Sequence, residues 1–408
     1  MNESWKKNTV LFLISQTVSL FGTFMVQYAI TWHITLTTQS GVMMTIAIIC
    51  GFLPTFLISP FGGVWADRYD RKILIVLADT MIAVSTLALA ILFAMGYDTV
   101  WLLFVISAIR ALGSGIHTPA IGAFIPQLVP EDQLTRVNAT NGTIQSLVIL
   151  VSPMVGGALL TMASIEAIFF IDVFTAAVAV SILLLFVRVP AHAKASNKQT
   201  ISYWGDMRAG FAYVKNHAFV RTIFLFNAIY FILVAPLAFL TPLQVTRSFG
   251  EDVWRLTATE VAFAIGMMIG GVMMASWGGL KNKVHSMILA NLVIALCTLA
   301  LGIPPLFWIY LLLMGVIGLA LPVFNTPFMV LLQQKVEGDF QGRVFGFLGM
   351  IASIIMPAAM IVYGPVADFI RIEWLLLGTG LLMLVQCVFM LDNRVLIEAG
   401  RPVLEAER

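Results

Sequence analysis

The chain has 408 residues, 60% of them hydrophobic and 11% charged, with a mean hydropathy of +0.96 and a net charge of +2. A soluble domain carries about 25% charged residues, so this composition excludes an ordinary globular protein. So small a net charge, without a polybasic stripe, gives no ground for a nucleic-acid partner.

Residues Met1 to Asn8 lead straight into a long apolar run with no small-residue cleavage site after a short core. A first spanning helix is expected there, rather than a removed signal peptide. A spanning helix needs about 20 mostly apolar residues. Twelve runs of that kind follow one another, at roughly 9–34, 41–66, 72–95, 99–121, 137–162, 165–187, 218–244, 257–280, 284–302, 305–328, 342–367 and 371–391. The one long polar stretch, Arg188 to His217, divides them six and six and includes a candidate surface helix over Tyr203 to Val214. The expected organisation is a six-helix half over 1–188, a cytoplasmic linker over 189–217, a second six-helix half over 218–391 and a cytoplasmic tail over 392–408. Cys50, Cys297 and Cys387 all lie inside apolar runs, a pattern of core packing rather than of disulfides or metal ligation.

Lysine and arginine set the sidedness. With the N-terminus inside, nineteen of the 23 basic residues fall on inner segments, three (Arg247, Arg255 and Arg371) fall on outer ones, and Arg110 lies within a span. This asymmetry predicts that both termini are cytoplasmic. The halves also echo each other. His117-Thr118-Pro119 and Arg136-Val137 recur as Asn325-Thr326-Pro327 and Arg343-Val344, at offsets of 208 and 207 residues. Trp65-Ala66-Asp67 with Lys72 has a weaker echo in Trp277-Gly278-Gly279 with Lys283. Same-orientation repeats of six spans predict a central site at their interface.

Between spans 2 and 3, the stretch Gly62 to Lys72 packs five charged residues into eleven positions. Such a hairpin belongs at a bilayer surface, because charge at the bilayer centre is costly. Gly63 is expected to allow close helix contact. Asp67 is expected to face the positive end of a neighbouring helix, and Arg68, Arg71 and Lys72 to reach phosphates or carboxylates. The spelling Gly-x-x-x-Asp-Arg-x-x-Arg-Lys resembles the loop signature of the major facilitator superfamily, and the resemblance implies a cytoplasmic gate. The second half has Gly279 and Leu280 where the signature has its acid and arginine, so an asymmetric gate is expected.

Span 5 contains Ser152-Pro153-Met154-Val155-Gly156-Gly157. Pro153 kinks the helix, and Gly156 and Gly157 let another helix approach. The segment resembles the Pro-x-x-Gly-Gly core of the motif of antiporter members, with Ser152 in place of the usual glycine, and implies export. Arg110 stands alone near the middle of span 4, and an intramembrane arginine is functional by default. Its setting resembles the superfamily's span-4 motif associated with proton coupling. The candidate partners are Asp172 in span 6 and Asp79 in span 3. Burial in lipid favours a neutral carboxylate and an approaching arginine favours a charged one; alternation between the two is what proton exchange requires. A static ion pair that fixes packing is the competing reading. Glu260 is expected to reach water at the outer end of span 8, and His33 and His117 to sit at hydrogen-bonded helix ends.

Gln16, Ser19, Thr23 and Gln27 recur at helical spacing as one polar stripe of span 1. A stripe of this kind should face protein or water rather than lipid. With Tyr28, Asn227, Tyr230 and Asn325 it forms a candidate substrate cavity, and Met25, Trp32, Phe226 and Phe231 could accept a bulky apolar ligand beside it. Ordinary helix packing is the competing reading for each.

The sequence contains no Gly-x-x-x-x-Gly-Lys phosphate loop, no His-Glu-x-x-His and no nucleophile motif. No enzyme activity, cofactor or metal is expected, and a separate ATPase partner stays open. As a whole the chain resembles the macrolide-efflux branch of the superfamily. The resemblance rests on Gly51-Phe52-Leu53-Pro54, Asp67 to Lys72, His117-Thr118-Pro119-Ala120, Leu128-Val129-Pro130-Glu131, Ile171-Asp172-Val173 and Gly342-Arg343-Val344-Phe345. It implies an all-α protein of the bacterial cytoplasmic membrane with twelve transmembrane helices in two six-helix repeats. It further implies export of macrolides or similar amphiphiles against protons, by alternating access. The expected partners are a small amphiphilic substrate, protons and membrane lipid. Export of an endogenous metabolite, siderophore or lipid, and a non-transporting sensor of the same fold, are the alternatives.

Overall fold

The structure, a computed structural model, describes residues 4–187, 211–303 and 306–401. The first six long helices are α1 (Ser4–Thr38), α2 (Gly41–Arg68), α3 (Arg71–Ala94), α4 (Val100–Leu128), α5 (Leu134–Met162) and α6 (Ile165–Phe186). The second six are α7 (Ala218–Phe249), α8 (Val253–Trp277), α9 (Lys283–Leu301), α10 (Phe307–Lys335), α11 (Gly338–Phe369) and α12 (Ile372–Asp392), followed by the short α13 (Arg394–Ala399). Twelve of the described helices are long and apolar enough to cross a membrane. Residues 211–216 are helical, and the rest of the surface helix expected over Tyr203 to Val214 lies outside the described residues.

The helices are built inside out relative to a soluble protein. Along α3, Leu77, Val84 and Ile91 are exposed at seven-residue steps, whereas Asp79 and Thr86 are buried on the other face. Lipid accepts the apolar face, and the polar side chains must find partners within the protein.

Contacts group the chain into two units, residues Met1–Thr38 with Ile46–Lys198, and Gln39–Thr45 with Gln199–Arg408. In the first, α1 packs on α5 and α6, and α3 on α4 and α6. In the second, α7 packs on α11 and α12, and α9 on α10 and α12. Each of these helices repeats the contacts of the helix six places before it, so the echo in the sequence is a structural repeat. The register is visible at the caps: the Asp70 side chain accepts from the Ile73 N–H at the start of α3, and Asn282 accepts from the Val284 N–H at the start of α9. Asp70 and Asn282 lie 212 residues apart, as do Trp65 and Trp277.

Glycines set the closest approaches in both units. A Cβ at Gly62 of α2 would stand 2.5 Å from the Gly115 carbonyl oxygen of α4. The corresponding pair in the second unit is α8 and α10, where a Cβ at Gly270 would collide with the Leu319 carbonyl oxygen.

Residues 39–45 join the second unit because α11 caps the start of α2. Asp368 accepts the N–H groups of Gly41 at 2.6 Å and Val42 at 3.0 Å and the Ser40 hydroxyl at 2.8 Å. Arg247 pairs with the same carboxylate at 3.1 Å and donates to the carbonyls of Ala367 and Gln39. A carboxylate on orphan N–H groups also complements the positive end of the helix dipole.

Candidate functional site

A buried polar ladder runs through the interior of the first unit. In one layer, Arg110 of α4 donates Nη1 to Asp172 Oδ2 of α6 at 2.7 Å and to the Thr86 hydroxyl of α3. Its Nη2 donates to the Thr23 carbonyl of α1 at 3.2 Å. The two ionic side chains are 6% and 1% exposed, so the pair is almost wholly desolvated, and removing either partner would strand a buried charge. Helix α1 comes this near because residue 22 is glycine: a Cβ there would stand 2.7 Å from Asp172 Oδ1 and 3.1 Å from the Asp172 Cα.

In the other layer, the Ser19 hydroxyl of α1 donates to Asp79 Oδ1 of α3 at 3.0 Å. His117 Nε2 of α4 stands 3.2 Å from the same oxygen but off the line of a hydrogen bond. Asp79 Oδ2 is buried with no hydrogen-bond partner. Both layers follow from one register. Asp79 and Thr86 are seven residues apart on α3, and Arg110 and His117 seven apart on α4. Seven residues is about two turns and roughly 10.5 Å of rise, so two antiparallel helices pair Asp79 with His117 and Thr86 with Arg110.

The sequence left Asp172 and Asp79 as alternative partners of Arg110. The structure gives Asp172 to Arg110 and Asp79 to His117. It also corrects the expectation of a helix-end His117: α4 continues through Pro119 and Pro126 to Leu128, which leaves the imidazole well inside the helix and buried. The layers differ chemically. Arg110 already neutralises Asp172. The Asp79 layer changes its net charge with a single proton: it carries one negative charge when the imidazole is neutral and the carboxylate ionised, and none when either has gained a proton.

The second unit lacks this charge. The residues 212 positions after Asp79 and Thr86 are Asn291 and Thr298, and Arg110 is matched, 208 positions on, by Gly318. Helices α6 and α12 start at Ile165 and Ile372, a register that sets Thr379 against Asp172. Asn291, Thr298 and Thr379 are buried like their counterparts, so the polarity is kept and the charge is gone.

The second unit instead holds a cavity of about 320 Å³, lined among others by Tyr230, Thr241, Glu260, Phe263, Met314, Asn325 and Met356. Tyr230 is stacked on Phe324 at 4.6 Å, and its buried hydroxyl has no hydrogen-bond partner. Asn227 is buried with an unpartnered Nδ2. The stripe on α1 is divided. Ser19 is engaged in the ladder by its hydroxyl and Thr23 by its backbone carbonyl alone, Gln16 is buried with both amide atoms unpartnered, and Gln27 is exposed. Tyr28 contacts Trp32 at 5.6 Å between ring centroids.

The charged hairpin also divides. Arg71 donates to the carbonyls of Ala66 at 3.0 Å and Ala123 at 2.9 Å, and Lys72 to those of Val187 at 2.8 Å and Leu184 at 3.2 Å. The Ala66, Leu184 and Val187 carbonyls lie at the ends of α2 and α6, where a helix leaves such groups open, and Ala123 lies further inside α4. Asp67 and Arg68 are exposed. Gly63 is a correction: a Cβ there would meet nothing within 4 Å, and the close approach belongs to Gly62, one residue and about 100° round the helix. In α5, Pro153, Gly156 and Gly157 are buried, and a Cβ at Gly156 would lie 3.8 Å from the Met25 carbonyl oxygen, in ordinary contact with α1.

Residues 12–360 match the family model of the Major Facilitator Superfamily. The chain belongs to this superfamily. It is 30% identical over 395 residues to macrolide efflux protein A of Streptococcus pyogenes, covering 96% of this chain and 97% of that one. It is 23% identical over 222 residues to the staphyloferrin A transporter of Staphylococcus aureus, covering 53% and 54% of the two chains. Among solved structures, the nucleoside transporter NupG aligns with a TM-score of 0.67 at 15% identity, over 96% of this chain and 99% of that one, a likeness of fold. This facilitator is therefore a transporter rather than an enzyme, a multi-pass protein of the bacterial plasma membrane. Sequence reading missed Gly22, Thr86 and the Asp368 cap, and set His117 aside. Gly22 had a visible signal, a glycine inside the polar stripe of α1.

Proposed function

We propose that this facilitator exports bulky amphiphiles, macrolides among them, in exchange for entering protons, by alternating access. The observation that carries the substrate class is the 30% identity to macrolide efflux protein A along nearly the whole of both chains. Proton exchange is supported by the Asp79 layer, whose charge one proton cancels. A net charge buried in the protein costs several kcal/mol, so the layer resists rearrangement while charged and permits it once protonated. Asp79, with His117 beside it, is the proton carrier, and Arg110 with Asp172 is the fixed pair that holds α1, α3, α4 and α6 around it.

Both termini and the hairpin lie on the cytoplasmic side, in keeping with the lysine and arginine asymmetry. Asp67 and Arg68 supply the movable part of the cytoplasmic latch, while Arg71 and Lys72 brace it. Pro153, Gly156 and Gly157 set the bend of α5. Gln16, Gln27, Tyr28, Asn227, Tyr230 and Asn325 are the substrate-facing polar groups. Export of a siderophore is the second reading, favoured by the partial match to the staphyloferrin A transporter.

The test is transport by the purified protein in liposomes. A radiolabelled macrolide should accumulate against its gradient when a proton gradient is imposed in the opposite direction, and an ionophore should abolish the accumulation. Accumulation that ignores the ionophore would overturn the exchange.

A further inference from the structure

The ionic side chains buried in the first unit are in close pairs, Arg110 with Asp172 and Asp79 with His117. Glu260 of the second unit is not. It lies two turns inside α8 and lines the 320 Å³ cavity, and among the described residues no ion pair or hydrogen bond to its carboxylate is found. The neighbouring polar groups are directed elsewhere. Tyr310 donates its hydroxyl to Gln244 Oε1 at 3.1 Å, and Thr241 donates to the Leu237 carbonyl. The buried Tyr230 hydroxyl, on the same cavity wall, has no partner. Besides these and the Asn325 amide, the lining is Phe231, Phe263, Met314 and Met356 with aliphatic side chains.

Glu260 is half-buried and its carboxylate opens on this cavity, and a carboxylate in a largely apolar setting is stabilised by a positive counterpart. The first-unit carboxylates have theirs within the protein. Here the cavity is what stands next to the charge, and its other walls are aromatic and thioether groups, which attract cations and adapt to varied apolar shapes. We propose that this cavity binds amphiphiles through a cationic amine, with Glu260 as the counter-ion and the Tyr230 hydroxyl as a hydrogen-bond partner for a neighbouring polar group of the ligand. The site therefore selects lipophilic amines over neutral or anionic molecules of the same size. The inference rests on the substrate cavity of the export reading and assigns it a charge preference.

Binding to the full-length protein in lipid nanodiscs tests it with three probes. They are a macrolide whose sugar bears a tertiary amine, the same macrolide with that nitrogen made a neutral amide, and the permanent organic cation tetraphenylphosphonium. The wild-type protein should bind the amine form at least ten-fold more tightly than the amide. Glu260→Gln should weaken the amine form and tetraphenylphosphonium about ten-fold, leave the amide unchanged and leave thermal stability intact. Glu260→Asp should retain part of the preference. Equal binding of amine and amide by the wild type, or a preference that survives in Glu260→Gln, would overturn the proposal. Failure of the wild type to bind either macrolide, with Glu260-dependent binding of tetraphenylphosphonium, would remove the macrolide reading and keep the cation site. No binding of any of the three would remove both.

Discussion

Asp172 and Asp79 are both buried carboxylates within one unit, yet their neighbours make them chemically different. Asp172 has a full positive charge at 2.7 Å, and Asp79 has a serine hydroxyl, an imidazole and one unpartnered oxygen. Replacing Asp172 with asparagine leaves the Arg110 guanidinium buried without its counter-charge, which should cost about 3–5 kcal/mol. The variant should show a lower melting temperature and poor recovery from the membrane. Recovery and melting equal to the wild type would show that the pair is not structural. Asp79→Asn removes a charge that no cation fully compensates and should melt within a few degrees of the wild type. The chemistry of these sites was only partly legible in the sequence. A lone arginine among apolar residues announced itself, whereas the choice between two aspartates depended on the register of α3 against α4. A two-turn slip of that pair would set Asp79 opposite Arg110, and nothing local in either helix forbids it.

Among the elements, α2 shows how two ends of one helix serve different purposes. Its first turn is capped by Asp368 with Arg247 beside it, and its last turn by Arg71, which accounts for two of the basic residues that the charge pattern assigned only to a membrane surface. The contact two turns before its C-terminal end depends on Gly62. Gly62→Ala should destabilise the protein by about 1–3 kcal/mol, since the added carbon meets backbone rather than a movable side chain, while Gly63→Ala should change stability by less than about 0.5 kcal/mol. Melting curves of the two variants in detergent check this, and equal effects would refute the assigned facing. The pair Gly62-Gly63 was legible as a site of helix contact, but which of the two made it was not. That depends on how α2 is rotated, and a helix apolar on nearly every face gives little rotational signal.

The whole molecule was the most legible scale, for physical reasons. A bilayer demands helices of a minimum length with their polar groups satisfied internally, so the twelve runs from span 1 to span 12 could be counted directly. The polar stretch from Arg188 to His217 divided them six and six, and the Thr-Pro and Arg-Val repeats matched one set to the other. Less visible was the division of labour between the repeats. Asn291, Gly318 and Thr379 keep the helix packing of the second unit without the charges of the first, and Glu260 has no acidic counterpart in the first unit, where the matching register position is Ile48. In the proposed mechanism proton binding falls to one repeat and substrate charge recognition to the other, and the Asp79 layer carries the exchanged proton. The most direct measurement records the pH inside liposomes containing the protein as a macrolide gradient alone is imposed. The wild-type protein should move protons opposite to the macrolide, and Asp79→Asn should abolish that pH change while macrolide still equilibrates across the membrane. An unchanged macrolide-driven pH change in Asp79→Asn would show that another group carries the proton.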